Sequence, residues 1–408
     1  MLLVAITPLK LYFKGVNSPK VEYQRALKMT LPQQQSAFLW GARQVGKSSL
    51  LKKLFPNSLS FDLLEADLYF RLLKEPSQLR EILLAEGIKK NLPIIIDEVQ
   101  KIPALLDEVH GLIENHGFQF VLCGSSARKL KREHANLLGG RAWRYVLHPL
   151  TFKEITDFDL LKGLNRGMLP AHYQSQNYRK ALNAYVQDYL REEIRAEGLA
   201  RNLRAFAKFL DAAAFSNGEL VNYKNLGSDC GVDAKTVKEY FQILEDTYLG
   251  YMIQPLVRKK GRKSINTIPK FYYFDTGVAN FLSKTTIEEL KGPQAGHSFE
   301  HFIMNELVAY RAYSEKEYAI NYWRTAQGQE VGAILADNHA YIEVKITDNV
   351  KTSDLRGLEA LLDEEVPKKS LVVCCEKRAR LLTTNRGHKI LVMPWAKFLG
   401  DLWAGKII

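Results

Sequence analysis

The stretch Gly41-Ala42-Arg43-Gln44-Val45-Gly46-Lys47-Ser48 matches the pattern G-x-x-x-x-G-K-[S/T]. Glycines in such a loop let the backbone turn tightly and bring its N–H groups close to phosphate oxygens. The lysine reaches the β- and γ-phosphates as a point charge, and the serine hydroxyl reaches Mg²⁺. The stretch from Gly41 to Ser49 is therefore predicted to bind ATP with Mg²⁺ as a phosphate-binding loop.

The flanks of this loop support the same interpretation. Ala37 to Trp40 is a short apolar run, as expected of a buried strand. Ser49 to Phe55 has helical spacing, and Pro56 ends it. A helix that starts at the loop points its positive end at a bound anion. The loop is thus predicted to join a strand to a helix, which is the context that a phosphate site requires.

A pair of acidic residues follows a second apolar run about fifty residues downstream of the loop. Ile94 to Ile96 is β-branched and ends in Asp97 and Glu98. Asp97 is predicted to hold Mg²⁺ together with Ser48, directly or through water. Glu98 is predicted to orient or deprotonate the attacking water. Alone, two acids could simply solvate a strand end; the pairing with the loop favours the catalytic interpretation.

Two further candidates come from the next strand and its surroundings. The apolar run Phe118 to Cys123 ends in Gly124, Ser125 and Ser126. Either serine could sense the γ-phosphate or the attacking water, and a plain turn is the alternative. Arg141 could stabilise the transferring phosphate in its own subunit or in a neighbour's. A structural arginine is an equally good interpretation.

Composition limits the class of protein and suggests a partner. The 408 residues are 46% hydrophobic and 25% charged, which is typical of soluble globular proteins of two to four domains. The net charge of +12 and the pI near 9.3 indicate a polyanionic partner, although a basic soluble protein is the alternative. Four cysteines without metal-ligand spacing indicate reduced thiols. With no apolar run of membrane-spanning length and no recognisable signal peptide, we expect a cytoplasmic protein without a membrane partner.

Strand and helix signals alternate from Tyr23 to Leu150, which predicts an α/β fold with a parallel sheet covered by helices. From Thr151 to about Ala200 the pattern is helical, with a break around residues 163–170. Residues 203–275 predict a winged helix, in which a helix beginning at Ala234 would be the recognition helix.

The predicted winged helix carries basic residues where DNA contacts are expected. Val237, Phe241 and Leu244 form a buried stripe, which leaves Lys235 and Lys238 on the other side of the recognition helix. The hairpin tip is almost wholly basic and would contact phosphates as a wing. Its basic residues are Arg258, Lys259, Lys260, Arg262 and Lys263. The alternatives are a solvated turn and a winged helix used only for protein contacts.

The C-terminal part predicts a helix from Ser298 to Leu307 and three strands that begin near residues 321, 329 and 340. The chain thus places an acidic residue in a helix, then the end of a strand, and then the sequence Glu343-Val344-Lys345. This order is the layout of the restriction-endonuclease-like fold. In that layout two acids chelate Mg²⁺ and a lysine helps to activate water.

These motifs together resemble a prokaryotic family, the AAA-type ATPases that carry a C-terminal domain of unknown function. The resemblance rests on Phe38 to Ser48, Asp97-Glu98-Val99-Gln100, Gly124 to Arg128, Leu138 to Arg141, Pro149 to Phe152, Pro269 to Gly277 and Ile342 to Lys345. It implies that the segment after the nucleotide domain is a helical lid, that a serine after the fourth strand acts as a sensor, and that the last domain has the restriction-endonuclease-like fold.

The resemblance also exposes one departure from the family pattern. The family usually reads Glu-Val-Asp where this chain reads Glu330-Val331-Gly332. Glycine offers no oxygen, so Glu300 and Glu343 would be left to hold a metal ion with too few charges. We therefore predict that the last domain lacks nuclease activity and serves as a binding platform.

The predicted organisation is an ATPase domain (1–150), a lid (151–202), a winged helix (203–275) and an inactive restriction-endonuclease-like domain (276–408). The predicted function is an ATP-hydrolysing, DNA-binding protein that acts on double-stranded or branched DNA as a homo-oligomer, for which a ring is one arrangement. The alternative is a nucleotide-operated switch that acts on a protein partner. A degenerate structural ATPase is disfavoured because every core motif is intact.

Overall fold

The computed structural model describes residues 22–32, 35–85, 92–128, 130, 137–190, 202–256 and 268–408. Its first sheet has five strands in the order β2-β3-β4-β1-β5, and every neighbouring pair is parallel. The strands are β1 (Ser36–Trp40), β2 (Ser60–Asp62), β3 (Ile94–Asp97), β4 (Phe120–Gly124) and β5 (Ala142–Val146). The predicted parallel α/β fold is therefore confirmed, with β4 inserted between the strands that carry the loop and the acids.

Helices cover both faces of this sheet. Along β1, Ala37 and Leu39 face one hydrophobic cluster, while Phe38 and Trp40 face another. A strand buried on both faces shows no polar alternation, which explains the continuous apolar runs in the sequence. The covering helices are α1 (Lys47–Leu54), α2 (Ala66–Lys74), α3 (Gln78–Ala85) and α4 (Leu105–His116).

The predicted helical segment after the sheet is divided into short helices. These are α5 (Leu160–Arg166), α6 (Pro170–Gln174) and α7 (Tyr178–Ala184), and α7 continues into a π-helical turn, Tyr185–Leu190. The break falls at Gly167, where φ is +75° and a Cβ would overlap the carboxylate of Asp275. That buried carboxylate accepts a hydrogen bond from the Met168 N–H at 2.6 Å, so the turn depends on a residue more than a hundred positions away.

Three helices and an antiparallel pair of strands follow, in the order that the sequence predicts. They are α8 (Leu203–Phe215), α9 (Tyr223–Cys230), α10 (Ala234–Asp246), β6 (Gly250–Pro255) and β7 (Lys270–Tyr273). The Asp233 side chain caps α10 by accepting a hydrogen bond from the Thr236 N–H at 2.7 Å. The predicted stripe of Val237, Phe241 and Leu244 is buried.

A second, mixed sheet of eight strands occupies the C-terminal part, in the order β12-β13-β11-β10-β9-β8-β6-β7. Strand β6 pairs in parallel with β8, so the hairpin and the last domain share one sheet. The added strands are β8 (Ile320–Arg324), β9 (Glu330–Leu335), β10 (Ala340–Val344), β11 (Lys369–Cys374), β12 (Arg380–Thr383) and β13 (Lys389–Pro394). The helices are α11 (Thr276–Leu282), α12 (Gly292–Tyr313), α13 (Arg356–Glu364) and α14 (Trp395–Trp403).

The cysteines are free thiols, as the sequence predicts. Cys123, Cys230 and Cys374 are buried, and Cys375 is partly buried. Within the part of the chain that the structure describes, no helix is both long enough and apolar enough to cross a membrane.

Candidate active site

The loop after β1 has a backbone that only its glycines allow. Gly41 has φ +152° and Gly46 has φ +98°, both in the region that disfavours side chains. A Cβ on Gly41 would lie 2.3 Å from the carbonyl oxygen of Leu147, which follows the neighbouring strand β5. Gly41 is therefore required for the close approach of the loop to the sheet.

Lys47 is the first residue of α1, and its side chain turns back over the loop. The residue is buried, and Nζ donates hydrogen bonds to the carbonyl oxygens of Gly41 at 2.8 Å and Ala42 at 3.0 Å. In the described part of the chain, no side chain caps α1 and no acid lies in its first turn. The free N–H groups and the lysine thus present positive charge at one point, as phosphate binding requires.

The two predicted magnesium ligands lie in direct contact. Ser48 Oγ donates a hydrogen bond of 2.5 Å to Asp97 Oδ2, although the residues come from different elements, α1 and β3. The Glu98 N–H donates to the other carboxylate oxygen at 3.0 Å. A hydroxyl and a carboxylate are hard oxygen donors, and Mg²⁺ is commonly held by one or two such groups plus phosphate oxygens. These residues therefore fit a magnesium ion.

Glu98 lies beside this pair in an unusual backbone conformation. Its φ of +58° is left-handed, which is uncommon for a residue with a side chain. Burial raises the pKa of the Glu98 carboxyl, while the positive charges of Lys47 and Arg43 oppose that rise. Glu98, Lys47 and Ser48 line the same cavity of about 640 Å³. The strained backbone thus places an acid next to the predicted phosphate position.

The structure separates the roles of the two candidate serines. Ser125 Oγ donates to Glu98 Oε2 at 3.4 Å and accepts from Gln100 Nε2 at 3.1 Å. Ser126 Oγ instead accepts a hydrogen bond from the backbone N–H of Arg128 at 3.3 Å. Of the two, Ser125 therefore joins the acid, while Ser126 shapes the turn after β4.

Arg141 lies far from the phosphate-binding loop of its own chain. It precedes β5, and its backbone carbonyl accepts a hydrogen bond from the Ser36 N–H at the start of β1. Its side chain pairs with Glu114. Because parallel strands run in one direction, the loop after β1 lies at the opposite edge of the sheet. The expectation that Arg141 completes the site of its own subunit is not met; a role in a neighbouring subunit stays a prediction.

Arg25 is a site residue that the sequence did not indicate. Its nearly buried guanidinium donates to the carbonyl oxygen of Val45 at 2.5 Å and to that of His148 at 2.6 Å. It also pairs with Glu154 at 3.1 Å. Arg25 thereby ties the loop to the segment after β5. Its only sequence signal is a lone arginine before β1, which carries no motif.

The segment after the sheet closes one side of the cavity. Pro170, Ala171 and Gln174 of α6 line it opposite the loop. The Tyr185 hydroxyl donates to the carbonyl oxygen of Arg43 at 3.3 Å. The predicted lid segment therefore lies beside the loop, where it can contact a bound nucleotide.

The turn after β4 is also in contact with α10. Arg128 Nη1 lies 3.4 Å from Asp246 Oδ2 in a nearly buried ion pair. The Ala127 N–H also donates to the Asp246 carbonyl oxygen at 3.3 Å. The turn that carries Ser125 is thus attached to the end of the helix that the sequence predicts to read DNA.

Of the residues predicted to contact nucleic acid, the structure describes the two on α10. Lys235 and Lys238 are exposed on α10, on the side away from its buried stripe. Lys238 Nζ lies 5.2 Å from the centre of the Tyr223 ring. The predicted wing lies outside the described residues. Its members are Arg258, Lys259, Lys260, Arg262 and Lys263.

The C-terminal domain brings its predicted acids around a buried lysine. Lys270 Nζ contacts Glu330 and lies 3.5 Å from Glu300 Oε1. Burial opposes the charge of Lys270, but the two glutamates raise its pKa above the usual value. A Cβ on Gly332 would lie 3.5 Å from Glu300 Oε1, so an aspartate there would have faced the same acid.

Glu343 lies on β10, and its carboxylate forms an ion pair with Lys345 at 2.8 Å. Burial raises the pKa of Glu343 to about 7, against the effect of Lys345. These residues line a polar cavity of about 630 Å³. Within the described residues, no group of three or more His, Cys, Asp or Glu side chains could hold a metal ion.

Comparisons with known families agree with the geometry around the loop. A family model described as an AAA domain matches residues 33–156, which include the loop, the acid pair and the serine turn. Two models described as domains of unknown function, DUF8612 and DUF4143, match residues 157–289 and 295–398. The chain therefore carries an AAA-type P-loop ATPase domain, followed by a C-terminal domain of unknown function. The match supports nucleotide binding and ATPase activity for this domain.

Individual relatives of this chain are distant. An uncharacterized protein of Haemophilus influenzae is 23% identical over 240 residues, which span 54% of this chain and 58% of that relative. The ORC1 protein of Aeropyrum pernix, solved in complex with DNA, is 13% identical over 61% of this chain and 86% of its own, with a TM-score of 0.28. The ORC2 protein of the same organism, with ADPNP and ADP, is 14% identical over 63% and 90%, also with a TM-score of 0.28. Likenesses this weak carry no inference about this chain.

Proposed function

We propose that the chain binds ATP with Mg²⁺ and hydrolyses it at the loop after β1. The observation that carries this proposal is the contact of Asp97 with Ser48, which lines a cavity together with Lys47 and Glu98. Mg²⁺ supplies charge neutralisation of the phosphates when it is bound there. Ser48 and Asp97 would hold the ion.

The remaining steps are carried by the chain's own groups. The N–H groups of the loop and of α1 bind phosphate oxygens, and Lys47 exchanges its carbonyl partners for them. Glu98 orients a water molecule and takes its proton as that water attacks. Ser125, bonded to Glu98, lies where it can report on the attacking water or the γ-phosphate. Arg141 remains a candidate only for the site of a second subunit.

The chain is further proposed to divide at residues 150, 202 and 275 into an ATPase domain, a lid, a winged helix and an inactive restriction-endonuclease-like domain. Support for the lid comes from α6, which lines the nucleotide cavity. Support for the winged helix comes from three helices followed by an antiparallel hairpin. The hairpin and the last domain share a sheet, so these two are expected to move together.

DNA is the proposed partner, and hydrolysis is proposed to drive a homo-oligomer over it. The net charge of +12 favours a polyanion. Lys235 and Lys238 are exposed near the amino end of α10, and recognition helices contact DNA through that end. Both lysines are therefore expected to contact DNA.

We expect ATP turnover to rise with at least one of duplex, forked or single-stranded DNA, and binding to weaken steeply with salt. The double variant Lys235→Ala/Lys238→Ala should lower the slope of log affinity against log salt by roughly two, because two phosphate contacts are lost. The charge-matched control Arg71→Ala/Lys74→Ala changes exposed residues of α2 and should leave the slope unchanged. Fluorescence anisotropy over a salt series measures the slope.

A protein partner is the competing proposal, and one surface favours it. Phe70 is 65% exposed on α2, and Leu64 and Leu73 beside it in the chain are also exposed. Exposed apolar side chains of this size are typical of protein contacts. No stimulation by any DNA, together with no salt-sensitive binding, would reject the DNA proposal in favour of a nucleotide-operated switch.

The C-terminal domain is proposed to bind rather than cut. Its residues do not fit a catalytic metal ion, because Gly332 has no ligand to offer and the Lys270 ammonium neutralises Glu300 and Glu330. A fixed positive charge between these acids opposes the binding of a divalent cation. The lysine thus stands in the place of the ion that such a site would require.

Purified protein is expected to leave plasmid and linear DNA intact in the presence of Mg²⁺ or Mn²⁺. The assay should include Lys345→Ala, which removes the group predicted to help activate water. Cleavage that survives repeated purification and disappears in Lys345→Ala would overturn the assignment. Cleavage that is equal in both proteins would indicate a contaminating nuclease.

A further inference from the structure

Gln100 lies between the two side chains that are proposed to act on the attacking water. It follows Glu98 in the short turn Val99–Lys101 and is buried. Its Nε2 donates to Glu98 Oε2 at 2.5 Å and to Ser125 Oγ at 3.1 Å. The acid, the amide and the serine thus form a closed triangle at the carboxyl ends of β3 and β4.

The chemistry of the partners fixes the orientation of the Gln100 amide. An ionised carboxylate can only accept, so the amide NH₂ must face Glu98. The amide oxygen then points at Gly124, where a Cβ would lie only 2.3 Å from it. A side chain at position 124 would therefore displace the amide, which explains why the strand ends in glycine.

The triangle leaves one oxygen of the acid available. The hydrogen bonds from Gln100 and Ser125 both end on Glu98 Oε2. Among the described residues, no hydrogen bond reaches Glu98 Oε1. Glu98 lines the nucleotide cavity with Lys47 and Ser48, so a water molecule in that cavity can approach the free oxygen.

We propose that Gln100 is a positioning residue for ATP hydrolysis, which holds Glu98 Oε2 against Ser125 so that Oε1 is aimed at the attacking water. This rests on the hydrolytic function proposed above. Glu98 Oε1 takes a proton from the water, the water oxygen bonds the γ-phosphorus, and the bond from that phosphorus to the β-phosphate oxygen breaks toward ADP. Gln100 gains and loses no proton; it sets the direction of the carboxylate.

The test replaces Gln100 with methionine, which is unbranched and similar in size but cannot donate a hydrogen bond. Misplacing a catalytic group by about 1 Å costs about 100-fold in rate, so kcat should fall by that order. The Kd for ATP, measured by titration calorimetry, should stay within about twofold because no phosphate contact changes. A crystal structure of Gln100→Met should show Glu98 Oε2 separated from Ser125 Oγ.

Two further variants distinguish a positioning role of Gln100 from a general effect on stability. In a Glu98→Gln background, Gln100→Met should cause no further loss of kcat, because Gln100 acts only through the acid. Gln119→Met changes another buried glutamine of the same domain, which bonds Pro32 and Gln35 at the other end of β4, and should leave kcat unchanged.

The outcomes distinguish this inference from the function on which it rests. Wild-type protein without ATP turnover would overturn both. Active wild type with an unchanged kcat in Gln100→Met, or an equal loss in Gln119→Met, would overturn the positioning role alone. An unmoved Glu98 carboxylate in the variant crystal would do the same.

Discussion

Replacing Glu98 with glutamine is expected to abolish ATP turnover while leaving ATP binding intact. The amide has the same shape but cannot take a proton, and loss of a general base typically costs about 10²–10⁴-fold. Gln100 Nε2 can still donate to the amide oxygen at position 98, so the geometry of the triangle is preserved. Steady-state phosphate release and equilibrium ATP titration measure the two properties separately.

The matched control for this substitution is Glu108→Gln. Glu108 lies on α4 of the same domain and pairs with Arg80 at 3.0 Å, so the change again removes one carboxylate charge. Its turnover should equal that of the wild type. Normal turnover in Glu98→Gln would show that another group, or solvent, accepts the proton.

The sequence predicted those parts of the fold that are encoded locally. The loop, the helix after it and the run Ile94 to Ile96 are contiguous, and each carries its own pattern of glycine or of β-branched residues. Two motifs placed after two strands of one parallel sheet had to meet at one edge. The contact between Ser48 and Asp97 follows from that rule, whereas their binding of Mg²⁺ stays a prediction.

The same rule shows why Arg141 lies away from the loop of its own subunit. Arg141 comes before a strand, whereas the loop follows one, and the two ends of a parallel strand lie at opposite edges. The pattern of apolar residues does not indicate the position of Arg141, because Arg141 lies in a glycine-rich turn without periodicity. Strand direction alone was sufficient to exclude it.

Other site residues could not be found from sequence because their contacts are distant in the chain. Arg25 meets Glu154 across 129 positions, and Lys270 meets Glu330 across 60. A lysine in a strand-like run predicts an exposed edge, yet Lys270 is buried because three acidic or aromatic partners surround it. Only the assembled eight-stranded sheet brings these partners together.

The contact between Arg128 and Asp246 gives the nucleotide site a route to α10. Ser125 bonds Glu98, and three positions later Arg128 holds the end of α10. Glu98 is therefore connected, through the turn from Ser125 to Arg128, to the helix that is proposed to read DNA. Coupling through this turn requires that the turn has two arrangements, and that both the nucleotide site and α10 shift the balance between them.

Replacing Lys47 with alanine is expected to remove most of the affinity for ATP. Hydrogen bonds to charged groups contribute about 1.5–3 kcal/mol, so the Kd should rise by roughly 10- to 150-fold. The folded protein should tolerate the change, because the Lys47 ammonium bonds two loop carbonyl oxygens to which water in the cavity can donate instead. The unliganded melting temperature should therefore stay close to that of the wild type.

Thermal unfolding with and without nucleotide isolates this effect from stability. At 100 times Kd, a ligand stabilises the folded state by about 2.7 kcal/mol, and Lys47→Ala should lose about half of that gain or more at the same ATP concentration. The control is Lys52→Ala, which removes an exposed lysine from the same helix and should keep the full shift. An equal nucleotide shift in Lys47→Ala and in the wild type would place the phosphates elsewhere.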